Sequence, residues 1–577
     1  MATYATNYCL RLKEKEAILT YNDKHIATAP IFNEDIEKAL EDLKKLNICK
    51  NSAGQTLASL VEIDDFQPWW FVQEKIMWEM LVPLTQYHSI LDLIFSRLPR
   101  GTTITIIGAP KSLLNLLDLL EVRYQPSDNP ALLKLRTFFK KLKTSSLQFL
   151  LALVSAISFV HFLFKKPASI LYIIDQVDAG RGYDLRLKGI YQQLQTRNLS
   201  FLEFAHCNSL TASFRNIFKR RRPVVLLEPL LNTIRWVQNL FLKSSDKTSE
   251  DFSSTLNDFE VLDKQIAKSA LALAANSARN YLILKKLISY LQPNFALALD
   301  DSRHANEFLA SCKQNKLATL TYQHGLTLNK YFVGHACYGF NARRSHTADY
   351  YCFWSEYFRN KLIEFSNIYT NSNTFVAGPI RELFFAPALK TSKSEKITVV
   401  VISEPKLLTS EILPYLEQLN SSNLFRLILK VRPGQHVPTQ YDNIALERIE
   451  DLKEAFELAD VVIGCYSSLL YEAICYQIPL VVIPSSSKYF AIDLIRNKLA
   501  QLAEKPSEIV QCIVKANQLP SSELAERREI IWGPSPLRNC DKIFELVLNI
   551  SDASSIIALN QTSNQLLTNA KLSQNSK

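Results

Sequence analysis

A chain of 577 residues is long enough for roughly two to four domains, each with its own core. With 47% hydrophobic and 21% charged residues and a mean hydropathy of −0.03, it reads as globular, and the balance argues against a polytopic membrane protein. The net charge of +10 favours anionic partners, which leaves nucleotide diphosphates, anionic lipid surfaces and nucleic acid in play.

The ten cysteines, from Cys9 to Cys540, form no C-x-x-C pair and no Cys/His cluster. Neither a zinc site nor a disulfide framework is indicated, and a reducing, cytoplasmic setting fits best. The opening MATYATNYCLRLKEKE lacks the apolar core of a secretion signal.

Residues 1–143 read as a mixed α/β region. Within it, Asp64-Asp65-Phe66-Gln67-Pro68-Trp69-Trp70 opens a long helix through about Arg97, and Thr103–Ile107 is a short buried strand. Trp69 and Trp70 are expected in the core. Residues 144–166 are the most apolar stretch: Ser145–Phe164 has no formal charge, with Lys140, Lys141 and Lys143 before it and Lys165 and Lys166 after it. Its length could just span a bilayer. The interspersed serines and His161 argue against spanning, and a span would separate the flanking segments into two compartments. A helix lying on a membrane surface, or one buried in the protein, fits better.

Residues 167–385 have the alternation of a Rossmann-like domain. Ala168–Asp175 is a strand that feeds Gly180-Arg181-Gly182, and a helix follows from Leu185. Only GxG is present, so a dinucleotide fingerprint is not supported. Arg181, Tyr183 and Asp184 are expected to face the crevice. Leu199–Ala205 is the next strand. In Ser213–Leu242 the basic residues Arg215, Lys219, Arg220, Arg221 and Arg222 stand among Phe214, Ile217, Phe218 and Trp236. That mixture suits an anionic membrane surface better than nucleic acid. A polar, Ser-rich connector (Lys243–Asp258) and a strong helix (Ala267–Leu291) come next.

Asn294–Leu299 is a buried strand ending in Asp300-Asp301. Helix Ala305–Gln314 then leads to the run Leu317–Tyr322, which stops at Gln323-His324-Gly325. A histidine on a glycine turn beyond a strand's C-terminal end stands where ligands of open α/β sheets sit, and it could act as a base near neutral pH. Its bland alternative is a histidine bonded only to its own loop. Tyr350–Trp354 and Thr374–Ala377 are further strands, the second closing at Gly378-Pro379-Ile380-Arg381.

A polar stretch, Ala386–Glu395, reads as a hinge, and residues 386–550 repeat the alternation as a second Rossmann-like half. Phe425–Val431 is a strand that ends at Arg432-Pro433-Gly434-Gln435-His436. In DVVIGCYSSLLYEAICYQIPLVVIP (Asp460–Pro484) a buried strand meets Tyr466-Ser467-Ser468 and a helix. Serine caps the helix start, and the same N–H groups and dipole suit a phosphate. Glu472, one turn on, could accept hydrogen bonds from ribose hydroxyls; the alternative is an ordinary capped helix with a solvated glutamate. Residues 551–577 read as a loose tail.

The segments TYQHG (Thr321–Gly325), ADYYCFWSEYFRNKL (Ala348–Leu362), FVAGPIR (Phe375–Arg381), KVRPGQH (Lys430–His436) and YSSLLYEAICYQIPLVVI (Tyr466–Ile483) carry a resemblance. Together the chain resembles GT-B-type glycosyltransferases of bacterial surface carbohydrates, of the capsule and lipopolysaccharide kind. CDP-glycerol glycerophosphotransferases and polysialyltransferases would be more distant relatives. The fold this implies is α/β: two Rossmann-like parallel-sheet domains facing a cleft, preceded by the additional N-terminal α/β region.

The resemblance also implies an activity: transfer of a sugar from a nucleotide-activated donor to a hydroxyl of a surface glycan or glycolipid. The nucleotide-sugar is a co-substrate, with no cofactor and no metal. Ser467, Ser468, Glu472, Arg432, His436 and Arg381 would form the donor side. Arg181, Tyr183, Asp184 and Gln323 would line the acceptor side, with His324 as base and Asp300 or Asp301 orienting or replacing it.

Two departures stand out. Gln477-Ile478-Pro479 lacks the family's usual glycine before the proline, and Lys430-Val431-Arg432-Pro433 replaces a Lys-x-His-Pro pattern. A polyol-phosphate transferase, a non-hydrolysing sugar-nucleotide 2-epimerase and a non-catalytic GT-B scaffold remain alternatives. The expected location is cytoplasmic, peripheral on the inner face of the cytoplasmic membrane, and no nucleic-acid partner is expected.

Overall fold

The computed structural model describes residues 8–533 except 14–15, 33, 51–53, 64–65, 100, 127–129, 176–186, 208, 221, 242–260, 300–304, 324–347, 365, 367, 380–394, 404–411, 433–436 and 485–491. The expected hinge, apart from Glu395, and the C-terminal tail lie outside the described residues.

The first sheet holds β1 (Tyr8–Leu12), β2 (Glu16–Tyr21), β3 (Lys24–Pro30), β4 (Ile104–Ile107) and β5 (Tyr124–Pro126), in the order β3-β2-β1-β4-β5. The β1–β3 meander is antiparallel, while β4 and β5 join in parallel. Burial alternates along β2, as expected of a strand with one face on a core.

Trp69 and Trp70 are core residues, and their indole N–H groups donate to Asn47 and Gln67. The expected long helix is broken up: a 3-10 turn (Pro68–Val72), a short helix (Gln73–Ile76), a π stretch (Met77–Leu81) and a helix (Val82–Arg97). Pro83 offers no N–H to the preceding turn, which accounts for the wide π turn before it. This whole layer docks on the helix Val261–Leu291 through Ile266, Ala270, Leu271, Ala274 and Tyr281.

The second sheet is built from β6 (Ser169–Ile174), β7 (Phe201–His206), β8 (Val224–Leu226), β9 (Phe295–Ala298), β10 (Ala318–Tyr322), β11 (Tyr350–Phe353) and β12 (Thr374–Val376). Its order is β12-β11-β10-β9-β6-β7-β8, and every neighbouring pair is parallel. The third contains β13 (Ile397–Ile402), β14 (Phe425–Lys430), β15 (Leu446–Ile449), β16 (Val461–Gly464), β17 (Leu480–Val482) and β18 (Gln501–Leu502). Its order is β15-β14-β13-β16-β17-β18, again parallel throughout.

Both sheets are doubly wound: the chain steps outward from the first strand, then returns to its other side. That return creates a switch point between β6 and β9 in one sheet and between β13 and β16 in the other, where ligands of such folds bind. Helices cover both faces, so strands such as β13 and β16 are apolar without alternation.

The apolar stretch belongs to one helix, Pro130–Lys165. It is neither wholly buried nor free of the protein. Leu151, Ala152, Ser155, Ser158 and Phe162 are buried, and the Ser155 hydroxyl accepts the Leu226 N–H of β8 at 2.9 Å.

The basic run is corrected by the structure. Arg220 is not on the surface: its guanidinium bridges the buried carboxylates of Asp175 and Glu203, and its side chain is only 4% exposed. Burial opposes its charge, but the two carboxylates outweigh that and raise its pKa. Arg222 lies over the Tyr191 ring, 3.9 Å from the centroid. Lys219 is exposed, and Arg221 lies outside the described residues. A buried guanidinium between two carboxylates has no charge left for a lipid surface.

Candidate functional site

The clearest site-forming geometry is at the switch point of the third sheet. β16 ends at Gly464, and the helix Ser468–Cys475 starts four residues later. Ser467 is the N-cap of that helix, and its hydroxyl accepts the Leu469 N–H at 3.3 Å. Ser467 and Ser468 are half-buried, at the helix end where N–H groups lack intrahelical acceptors.

The neighbouring strand ends add polar groups. Ser403, just past β13, donates its N–H to the Lys430 carbonyl, and buried Lys430 donates through Nζ to the Val431 carbonyl at 2.7 Å. Arg432, two residues beyond β14, is exposed. Lys430 was not singled out as a site residue from the sequence, because a lysine ending an apolar strand reads as the strand's solvent end. Its burial at the switch point is a tertiary property.

Glu472 departs from the solvated glutamate: it is 2% exposed. It acts on the Cys475 thiol together with Arg528 from the helix Ser521–Trp532. Burial is the main cause raising that thiol's pKa; Arg528 opposes the rise and Glu472 adds to it. Its burial puts Glu472 on the inward side of its helix.

That last helix closes a seam between the two doubly wound units. Trp532 stacks on Trp354 with centroids 6.1 Å apart and donates its indole N–H to the Tyr471 carbonyl at 2.9 Å. Phe358 contacts both Trp532 and Tyr471, and the Ser355 hydroxyl donates to the Ile531 carbonyl. At the seam's edge Asn497 donates to the Tyr357 hydroxyl at 3.1 Å, and burial raises the nearby Asp493 carboxyl above its ordinary range. One apolar cluster runs through both units.

On the first unit's side of the seam, Gln323 follows β10 and is fully buried. Its side-chain Oε1 accepts the Trp354 N–H at 3.1 Å, its carbonyl accepts the Trp354 indole N–H at 2.6 Å, and its own N–H donates to the Cys352 carbonyl. In this structure Gln323 locks the end of β10 to the residue after β11.

His324, Asp300, Asp301, Arg181, Tyr183, Asp184, Arg381 and His436 lie outside the described residues. By chain position, Arg181, Tyr183 and Asp184 follow β6, while Asp300 and Asp301 follow β9. These are the two strands that flank the first unit's switch point.

An acid–base pair that the sequence reading missed stands at the end of β7. The His206 Nδ1 is bonded to the Glu228 carboxylate, whose other oxygen accepts the Cys207 N–H at 2.7 Å. The two residues are 22 apart in the chain, and the only signal was a histidine at the predicted strand's edge. Among the described residues no group of three His, Cys, Asp or Glu side chains converges as metal ligands would.

No family model matches the chain, and no curated protein does. Solved structures that share part of its shape include MurG from Acinetobacter baumannii (13% identity, TM-score 0.41, covering 66% of this chain and 100% of that one). CalG4, the calicheamicin glycosyltransferase, is 11% identical with a TM-score of 0.42, over 67% and 99% of the two chains. A UDP-GlcNAc 2-epimerase from Neisseria meningitidis, bound to UDP-GlcNAc, is 11% identical with a TM-score of 0.40, over 66% and 99%. All are distant, and the strand order speaks for itself. Two doubly wound parallel units, joined through a shared seam and preceded by a separate α/β layer, make this a GT-B-type architecture.

Proposed function

We propose that the protein is a glycosyltransferase that moves a sugar from a nucleotide-activated donor to a hydroxyl of a glycan or glycolipid, at the inner face of the cytoplasmic membrane. The observation that carries this reading is the capped helix Ser468–Cys475 at the switch point of one doubly wound unit, seamed to a second such unit. In this reading the nucleotide's phosphates meet the helix N-terminus and the hydroxyls of Ser467 and Ser468. Arg432 and Arg381 offset charge developing on the leaving group, and His436 completes the donor side. Glu472 takes the ribose hydroxyls once the donor opens the capped end.

The acceptor lies against the first unit. His324 is the base for its hydroxyl, with Asp300 or Asp301 as orienting carboxylate, and Arg181, Tyr183 and Asp184 hold the acceptor. A positioned base contributes about 10²–10⁴-fold, so His324→Ala is expected to lower turnover by that order while nucleotide still raises the melting temperature. Wild-type turnover in that variant would remove His324 from the mechanism. His206→Ala, run in parallel, assigns the proton to the His206–Glu228 pair if it is the variant that loses turnover.

The donor site is tested separately. Ser468→Ala combined with Glu472→Gln should weaken binding of the stabilising nucleotide-sugar, found by screening UDP-, GDP-, CMP- and dTDP-sugars for thermal shift. Unchanged affinity by calorimetry would place the donor elsewhere. Release of an isomerised free sugar nucleotide, with no transfer, would replace the transferase reading by an epimerase.

A further inference from the structure

The helix Pro130–Lys165 has a face that the proposed chemistry does not use. Phe149, Leu150, Leu153, Ile157, Val160 and Phe164 recur every one to four residues and are exposed, with Ile157 at 63% and Phe164 at 86%. The opposite face, Leu151, Ala152, Ser155, Ser158 and Phe162, is the one packed into the protein. A helix on a water-facing surface has the reverse pattern. Here the side chains turned away from the protein are the large apolar ones, over a stripe about 22 Å long at 1.5 Å per residue.

Two helices that pack along it, Leu210–Lys219 and Leu227–Phe241, each add an exposed aromatic, Phe218 and Trp236. A row of exposed apolar side chains along one helix face marks an interaction site.

The charge pattern selects the occupant. Along the helix's 36 residues the sequence has no Asp or Glu, and Lys134, Arg136, Lys140, Lys141, Lys143 and Lys165 are all cationic. Exposed Lys165 and Lys166 close the stripe at one end, and exposed Arg215 and Lys219 flank Phe218. Apolar side chains bordered by cations complement the headgroup–acyl boundary of an anionic bilayer. Spanning does not fit, because the Ser155 face is bonded to β8 and cannot also face lipid.

We propose that this stripe is a monotopic seat on an anionic lipid bilayer, with the side chains from Phe149 to Phe164 lying in the interface. Its use, to bring a lipid-borne acceptor to the crevice, rests on the transferase reading; the seat itself does not. The cations that serve it are those bordering the stripe, and Arg220 is not among them.

The test is sedimentation of the full chain with vesicles of phosphatidylcholine alone or with about one part in three phosphatidylglycerol, at low and high salt. The expected result is binding to the anionic vesicles that weakens with salt and falls roughly tenfold or more in Leu153→Glu/Ile157→Glu. Both substitutions are at exposed positions, so the melting temperature and any nucleotide-sugar thermal shift should stay at wild-type values. A variant that melts early is replaced by Leu153→Ser/Ile157→Ser, for which the same loss is expected.

Wild-type protein that stays in the supernatant with anionic vesicles, or stable variants that bind as wild type, would overturn the proposal. So would a wild-type dimer in light scattering that the same variants convert to monomer, since the stripe would then be a self-association face. Loss of nucleotide binding in the wild type would sink the transferase reading and leave the vesicle result standing.

Discussion

Gln477 shows how one residue absorbs a departure from a family pattern. It stands where the resembled glycosyltransferases carry a glycine, just past the C-terminal end of the helix Ser468–Cys475, and it adopts φ +58. Its N–H bonds the Ile474 carbonyl, and the Ile478 N–H bonds the Ala473 carbonyl, which is the helix-ending turn glycine normally makes. A side chain in the left-handed region costs about 1–2 kcal/mol, partly offset by glycine's larger unfolded-state entropy. Gln477→Gly is therefore expected to stabilise the protein by about 0.5–1 kcal/mol in urea unfolding. Arg220 shows the opposite case. Residue type and neighbours made it look like surface charge, yet two buried carboxylates, Asp175 just after β6 and Glu203 of β7, hold it inside. Nothing local in FRNIFKRRRP distinguishes a paired arginine from a solvated one.

At the scale of elements, polar bridges between helices set a pH dependence. The helix Asn306–Gln314 meets Val261–Leu291 through the Ser277 hydroxyl, which donates to the Glu307 carboxylate at 2.5 Å. Glu307 keeps some exposure as a residue, but its carboxyl end is enclosed. Burial raises its pKa above the ordinary 4.5, outweighing the lowering by Ser277, its own backbone N–H and Lys75, and Glu228 adds to the rise. A carboxyl whose folded pKa exceeds its unfolded value contributes stability below the unfolded pKa and loses it as pH rises through the folded one. Glu307→Gln, which can still accept from Ser277, should thus raise the melting temperature at neutral pH and change little near about pH 4. An equal gain at both pH values would show that the carboxyl is not the source.

The elements also divide by how much of them was legible. β9, the helix Asn306–Gln314 and β14 match their sequence readings to within a residue at each end, because continuous apolar runs and helical spacing are local signals. β8 and β18 were missed: each has two or three residues, too few for a period, and is a strand only because a neighbour's backbone is there to pair with it. The Trp70–Arg97 region read as one helix because its apolar spacing is helical throughout, and the π stretch falls directly before Pro83, which has no N–H to give.

Across the whole molecule, the seam holds the two doubly wound units to one another. Trp532 is 3% exposed, stacks on Trp354 of the first unit and bonds Tyr471 of the second. Trp532→Ala is expected to cost about 3–5 kcal/mol, of which only part belongs to either unit alone. A second, earlier unfolding transition in calorimetry would show that the units have been uncoupled. A single transition at the wild-type temperature would show that the seam carries no such energy.

The sequence by itself determined the class of the molecule. Apolar runs alternating with amphipathic helices require parallel sheets covered on both faces, and a serine pair after a buried strand requires a capped helix end. These are properties of neighbouring residues, so they survive without knowledge of the fold. Only the tertiary structure decided which strands became neighbours, and with them the switch points, the burial of Lys430, Glu472 and Gln323, and the pairing of His206 with Glu228. It also decided which face of the 36-residue helix is turned outward. Each of these depends on groups tens or hundreds of residues away, where chain spacing imposes no geometry and only packing does.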